Sequence, residues 1–288
     1  MNLWYLYFLL PLIIFPATAV LSVSLWRKIG SQKMSLYRQG TIIILWIPLL
    51  FWILQQWELL EKHAFNLVLC GLFWALYLST AFYAMNLTSV GVSRSFLAVS
   101  RTITGFVLGY ALFREHISLS DIGWLVIIWL GFYLSFRYKG EHFSMRDMKG
   151  IVFSLIAGVF FTVNTLIFKL YAQDFSPLQS AYLLESTSLP FLLCMSLLMH
   201  KGDVKKAVSI DIRKIGVIFL TAPLILLASY GLAESVNRIS FYVFNTLFIF
   251  VLVTSVIFSW IFLWEKFTFK QLFAMAVMTL GCGVIILF

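Results

Sequence analysis

Runs of about 20 mostly apolar residues recur from one end of this chain to the other, the length a helix needs to cross a bilayer. No polar stretch between them is long enough to fold alone. Of 288 residues, 61% are hydrophobic and 11% are charged. An average soluble domain has about 45–50% apolar and about 25% charged residues. That excess of apolar surface excludes a soluble enzyme, a disordered chain and a secreted disulfide scaffold. The chain is expected to be an all-α integral membrane protein.

Reading between polar breaks gives ten spans. They are Leu3–Trp26, Gly40–Trp57, Phe65–Ala84, Ser89–Phe113 and Ile122–Phe136, then Ile151–Leu170, Leu178–Met199, Ile215–Ala233, Ile239–Trp264 and Phe267–Phe288. The tight joins between spans 4 and 5, and between spans 9 and 10, make each pair a helical hairpin. Span 1 contains Ala17-Thr18-Ala19, which resembles a signal-peptidase site. Only two residues precede its apolar run and neither is basic, so the segment is read as a retained helix. Cys70, Cys194 and Cys282 lie in apolar runs without CxxC spacing or a nearby His, so packing is their expected role, and no metal or cofactor is expected.

The net charge is +9. No basic stripe with interleaved aromatics occupies a polar domain, so nucleic acid is not an expected partner. In short loops Lys and Arg set orientation instead. Loops 1–2, 5–6, 7–8 and 9–10 carry Arg27, Lys28, Lys33, Arg38; Arg137, Lys139, Arg146, Lys149; Lys201, Lys205, Lys206, Arg213, Lys214; and Lys266, Lys270. The other side has only Lys62, Arg114, Lys169 and Arg238. The odd-numbered loops are therefore expected in the cytoplasm, with both termini outside.

The two halves match at an offset of 150 residues. Phe113-Arg-Glu115-His-Ile-Ser118-Leu-Ser-Asp121 aligns with Leu263-Trp-Glu265-Lys-Phe-Thr268-Phe-Lys-Gln271. Each ends a span, places a Glu in the turn and opens the next helix with a capping box, in which a hydroxyl and the third side chain satisfy free N–H groups. Gly131 falls on Gly281, and Thr104-Gly105-x-x-x-Gly109 on Thr254-Ser255-x-x-x-Ser259. Such small-residue stripes let helices approach closely in lipid. Five spans per half is an odd number, so the second half inserts upside down. Inverted repeats of this kind build many secondary transporters, with substrate bound near mid-membrane. The expected units are residues 1–138 and 139–288.

The sequence resembles the drug/metabolite transporter superfamily, in particular its ten-helix group built from two EamA-type repeats. The resemblance is carried by Phe82-Tyr-Ala-Met-Asn-Leu-Thr-Ser-Val-Gly-Val-Ser between spans 3 and 4, the Glu115 turn, the Gly131 helix, and Ser35-Leu-Tyr-Arg38, where the family usually has an Arg. It implies a 5+5 bundle with a central cavity lined mainly by spans 1, 3, 4, 6, 8 and 9. Two departures bear on substrate chemistry. Ala98-Val-Ser-Arg101-Thr stands where a mid-span proline is common, and Glu185 lies in a usually neutral span 7.

A charge at mid-bilayer costs about 2.5–3.5 kcal/mol on insertion scales, so it faces a partner or a wet cavity. Arg101 is central in span 4, and Arg94 lies two turns earlier on the same face, the face of Gly105. Arg94 either snorkels to the cytoplasmic surface or joins the site. For Arg101 three readings stay open: an ion pair with Glu185, contact with a substrate anion, or a switch between the two. A carboxyl without a partner at Glu185 is a candidate proton carrier, because loss of water favours its neutral form. Asn164, Asn245, Tyr77, Tyr230 and Trp74 complete the candidate substrate contacts, although with 29 Phe, 12 Tyr and 10 Trp most aromatics serve packing.

No P-loop, HExxH or GxSxG motif is present, so neither an ATP-driven pump nor an enzyme is expected. The expected function is secondary active transport of a small polar metabolite, an amino acid or organic anion, with proton coupling possible in principle. The resemblance favours efflux over uptake. The rivals are a carrier of cationic drugs or quaternary amines, working through Glu185 and aromatic faces, and a lipid-linked flippase or a non-transporting scaffold. The expected home is a bacterial inner membrane, as monomer or homodimer.

Overall fold

The computed structural model describes residues 4–137, 144–208 and 215–264, with isolated positions between 269 and 280. All regular structure among them is helical. The helices are α1 (Trp4–Ile29), α2 (Ser31–Leu45), α3 (Ile47–Leu54), α4 (Trp57–Lys62), α5 (Ala64–Leu87), α6 (Val90–Phe113) and α7 (Leu119–Arg137), then α8 (Met145–Ala172), α9 (Pro177–Ser186), α10 (Leu189–Met199), α11 (Val204–Val208), α12 (Ile215–Val236), α13 (Phe241–Leu247) and α14 (Phe250–Leu263).

Six segments are long and apolar enough to cross a membrane: Ala64–Leu87, Val90–Phe113, Met145–Ala172, Pro177–Met199, Gly216–Val236 and Phe241–Leu263. They correspond to the expected spans 3, 4 and 6 to 9. Spans 1 and 5 are seen as shorter apolar helices, Tyr7–Ser22 and Leu119–Gly131. Span 2 departs from expectation. It starts earlier, at Ser31, and bends by 70° between Leu45 and Ile47. Pro48, in the first turn of α3, has no N–H to continue the α2 ladder. Span 10, Glu265 and Gly281 lie outside the described residues.

Local chemistry sets the helix ends. Gly30, with φ at 89°, makes the tight corner from α1 to α2. Ser144 with Asp147 and Ser176 with Gln179 form capping boxes at the starts of α8 and α9. The box expected at Ser118 and Asp121 forms as well: the Asp121 N–H donates to Ser118 Oγ at 3.1 Å, and the Ser118 N–H donates to Asp121 Oδ2 at 2.8 Å. Span 7 breaks at Thr187-Ser188, whose hydroxyls donate to the carbonyls of Leu183 and Glu185, just before Pro190. Span 9 breaks between α13 and α14 at Phe248-Ile249.

Packing follows a regular plan. α5 packs along α8, as α1 packs along α12; α6 meets α8, as α14 meets α1; and α6 crosses α13 and α14. The outer faces present Phe65, Tyr110 and Leu220, each about two-thirds exposed or more. In water such a surface would be an unmanageable apolar patch; in lipid it is a solvated one. The protein is a multi-pass membrane protein.

Candidate functional site

Helix α6 is the spine of the site. Its first turn is capped by Ser89, whose Oγ accepts the Val92 N–H. Arg94 follows one turn in and Arg101 two turns later, both on the inward face. The hydroxyls of Ser95, Thr102 and Thr104 donate back to carbonyls four residues earlier, so these residues cost no unpaired donor. Close approach comes from glycine on both sides. A Cβ on Gly158 of α8 would lie 2.6 Å from the Leu97 carbonyl oxygen and 3.0 Å from the Arg101 nitrogen. A Cβ on Gly105 would lie 2.6 Å from that of Asn245. Bare backbone at these crossings brings α8 and α13 against the turn that carries Arg101.

Arg101 is 1% exposed. Its Nε donates to Asn245 Oδ1 at 3.0 Å, and Asn245 Nδ2 in turn donates to the Phe241 carbonyl at 2.9 Å, which fixes the amide orientation. The guanidinium carbon lies 3.6 Å from the Phe161 ring centre and 3.4 Å from that of Phe248. Stacking of this kind is worth about 2 kcal/mol when desolvated, less than the cost of burying a charge. Nη2 has no partner. The guanidinium is therefore held in place by neutral groups and left with donor capacity to spare.

Two adjoining recesses open beside this face. One is lined by Arg38, Arg94, Trp74, Tyr77 and Phe82 among others. The second is lined by Arg94, Arg101, Tyr77, Phe161 and Phe248 among others. Phe15, Tyr77 and Arg94 line both. Arg38 and Arg94 are each 6% exposed, and the Nε of each is buried without a partner among the described residues. Arg94 thus faces the interior and does not snorkel.

Glu185 is placed differently from the pairing considered for it. It does not reach Arg101. Its Oε2 accepts from Gln39 Nε2 at 2.5 Å and from the Trp74 indole N–H at 3.1 Å, and its Oε1 accepts from Ser229 Oγ at 2.5 Å. The carboxyl, fully buried, ties α9 to α2, α5 and α12. It lines neither recess, but Trp74 stands between: its ring is 4.9 Å from that of Tyr77 and 5.7 Å from that of Phe161, which stacks on Arg101. Within electrostatic range, Glu185 attracts Arg38.

Of the residues singled out in the sequence, Arg101, Arg94, Tyr77 and Trp74 meet at the recesses, with Asn245 holding Arg101 and Glu185 one layer behind. Asn164 is elsewhere: its amide donates to the carbonyl and sulfur of Cys70, joining α8 to α5. Tyr230 packs edge-on against Tyr7, ring centres 5.8 Å apart, outside both recesses. Glu115, in the turn after α6, accepts the backbone N–H groups of Phe241 and Tyr242 at the start of α13. Sequence reasoning missed Arg38, Gln39, Ser229, Phe161 and Phe248. For Arg38 a signal was present in Ser35-Leu-Tyr-Arg38, but hydropathy placed the start of span 2 after it.

Residues 148–287 match the EamA-like transporter family. No curated protein matches the sequence. A solved crystal structure of another protein aligns over 96% of this chain and 96% of its own at 14% identity, with a TM-score of 0.64. That likeness shows a shared fold over the whole chain. The second half of the chain, residues 148–287, is thus similar to the EamA-like transporter family, within a fold shared along 96% of the chain.

Proposed function

We propose that the protein is a ten-helix secondary transporter of two inverted five-helix repeats, residues 1–138 and 139–288, carrying a small anionic or zwitterionic metabolite by alternating access. The pairing of helices supports the repeat. Exchanging the halves turns the α5–α8 contact into α12–α1 and the α6–α8 contact into α14–α1. The two non-glycine residues that end α6 and α14 in the left-handed region, Arg114 and Trp264, are 150 positions apart, and their caps return to Gly109 and Ser259, also 150 apart.

One observation carries the substrate reading: Arg101 and Arg94, with buried unpaired N–H groups, line a recess that no acidic side chain lines among the described residues. A carboxylate or phosphate would satisfy them. The recess runs toward the end of the bundle where α5 ends and α6 begins, on the side of the odd-numbered loops. With those loops in the cytoplasm and both termini outside, that end loads from the cytoplasm, which suits export from the cell. Trp74, Tyr77 and Phe161 supply apolar walls. Glu185 is the candidate coupling group. A proton on Oε1 can be accommodated by the Ser229 hydroxyl turning from donor to acceptor, while the Gln39 and Trp74 bonds to Oε2 persist. The halves then rock about the α6 crossing with α13 and α14, as two states of similar energy.

The test is counterflow in liposomes against a mixed panel of organic anions, amino acids and quaternary amines, beside Arg101→Gln. Uptake of an anion or amino acid that the variant loses is the expected result. Uptake of a cation that the variant keeps would move the site to Glu185 and defeat this reading.

A further inference from the structure

The three arginines at the recess admit a sharper statement about what binds there, one that rests on the transporter reading above. Arg38 on α2, Arg94 and Arg101 on α6 are buried to within 6% of full burial, and each has at least one side-chain N–H without a partner among the described residues. Arg94 lines both recesses, with Arg38 in one and Arg101 in the other. Among the described residues the buried acids are Asp121, bound to the start of its own helix, and Glu185, already taking three donors. Glu185 offsets at most one of the three positive charges, through Arg38. At least two remain uncompensated in a region where an unpaired buried charge is strongly disfavoured.

We infer that the substrate is a dianion, with its two charges on one phosphoryl group or on two carboxylates, held across Arg38, Arg94 and Arg101. Arginine forks match both acid types with paired hydrogen bonds. The two recesses share Phe15, Tyr77 and Arg94 as walls, which brings the three arginines to one compound site. A monoanion or zwitterion would leave at least one positive charge unmatched.

The full chain in detergent is melted with glycerol 3-phosphate, succinate, lactate, alanine and choline. Glycerol 3-phosphate or succinate is expected to raise the melting midpoint at concentrations at least tenfold below those needed for lactate or alanine. Response to glycerol 3-phosphate alone places both charges on one phosphoryl group, and its affinity then falls about tenfold between about pH 7.5 and about pH 5, because the second phosphate ionisation lies near 6. Response to succinate alone assigns two carboxylates. Lactate or alanine binding within threefold of both dianions overturns the inference, as does silence of both dianions.

Arg94→Gln separates binding from architecture. A ligand-receiving arginine costs the empty protein stability, so its removal should leave the ligand-free midpoint unchanged or higher while weakening the dianion at least tenfold. A lower midpoint with dianion binding intact would make Arg94 structural and defeat the inference. If Arg94→Gln does not fold, Arg94→Lys keeps the charge and must keep the preference for dianions; its loss of that preference together with wild-type melting counts against the charge argument. Counterflow with the same five solutes judges transport separately: a monoanion carried in an Arg94-dependent way leaves the transporter standing while the dianion falls, and dianion binding without flux of any solute does the reverse.

Discussion

Asn245 Oδ1 accepts a 3.0 Å hydrogen bond from Arg101 Nε, so an amide from the second half of the chain aims a cation from the first. The bond is made where α13 crosses α6 at Gly105. Removing it in Asn245→Ala leaves a buried donor unpaired, at a cost of about 1–3 kcal/mol. Asn245→Asp, nearly the same shape, offers Arg101 a carboxylate in place of substrate. Asn245→Asp should therefore lose counterflow at least tenfold while melting no lower than Asn245→Ala. Wild-type flux in Asn245→Asp would show that Arg101 does not hold substrate.

The α6–α8 crossing depends on the missing side chain at Gly158, since a Cβ there meets backbone atoms of Leu97 and Arg101 that cannot swing aside. Gly158→Ala should cost about 1–3 kcal/mol by overpacking, and Gly158→Leu should displace the Arg101 turn and abolish transport. Gly123, in α7, is the control: no atom of the described residues lies within 4 Å of a Cβ there. Gly123→Ala should be neutral or stabilise by up to about 1 kcal/mol through helix propensity. Thermal melting in detergent reads both, and equal melting of the two alanine variants would contradict the close crossing.

The sequence revealed the depth and shared face of Arg94 and Arg101, because a helix repeats its azimuth every few residues and lipid penalises charge. It could not supply partners across helices. The route from Glu185 to Trp74, Gln39 and Ser229 depends on how α9 is turned at the Thr187-Ser188 break, and no periodicity encodes that. Arg38 was counted as a loop charge because Ser31–Gln39 is polar enough to end a hydropathy window. That stretch is helical, and Ser35, Arg38 and Gln39 within it are all buried. Asn164 and Asn245 look alike as mid-span amides. One bridges to the backbone at Cys70 and the other serves Arg101, a difference made wholly by the facing helix.

On the loop between α8 and α9, Asp174 accepts from Lys62 Nζ and from His63 Nε2, each at 2.7 Å. The hydrogen bond from Lys62, then that from His63, hold its carboxyl below the ordinary carboxylate range. A carboxyl whose folded value is depressed stabilises above its unfolded value, near 3.9, and loses that contribution as pH falls through the folded value. The tie between the α4–α5 corner and the α8–α9 loop should hold at neutral pH and fade below about pH 4. Asp174→Asn should melt slightly below the wild type at neutral pH and converge with it in acid. A constant difference at every pH would mean that the carboxylate charge plays no part.

Glu115 closes the far end of α6, which finishes at Phe113, twelve residues past Arg101 and so about 18 Å along the helix axis. Arg114, in the left-handed region, ends the helix and turns the chain so that the Glu115 carboxylate accepts from the N–H groups of Phe241 and Tyr242. Those amides open α13, where N–H groups have no partner within the helix. The contact joins the two halves at the end of α6 remote from the arginine recess. Each charge-assisted bond to such amides contributes about 1.5–3 kcal/mol. Glu115→Ala should expose both amides, and hydrogen exchange at Phe241 and Tyr242 should rise by tenfold or more with little change at Asn164, which is held by α5 and not by this contact. Glu115→Gln, which keeps an acceptor oxygen but no charge, should fall between. Unchanged exchange at Phe241 and Tyr242 in Glu115→Ala would show that α13 is held there by packing alone.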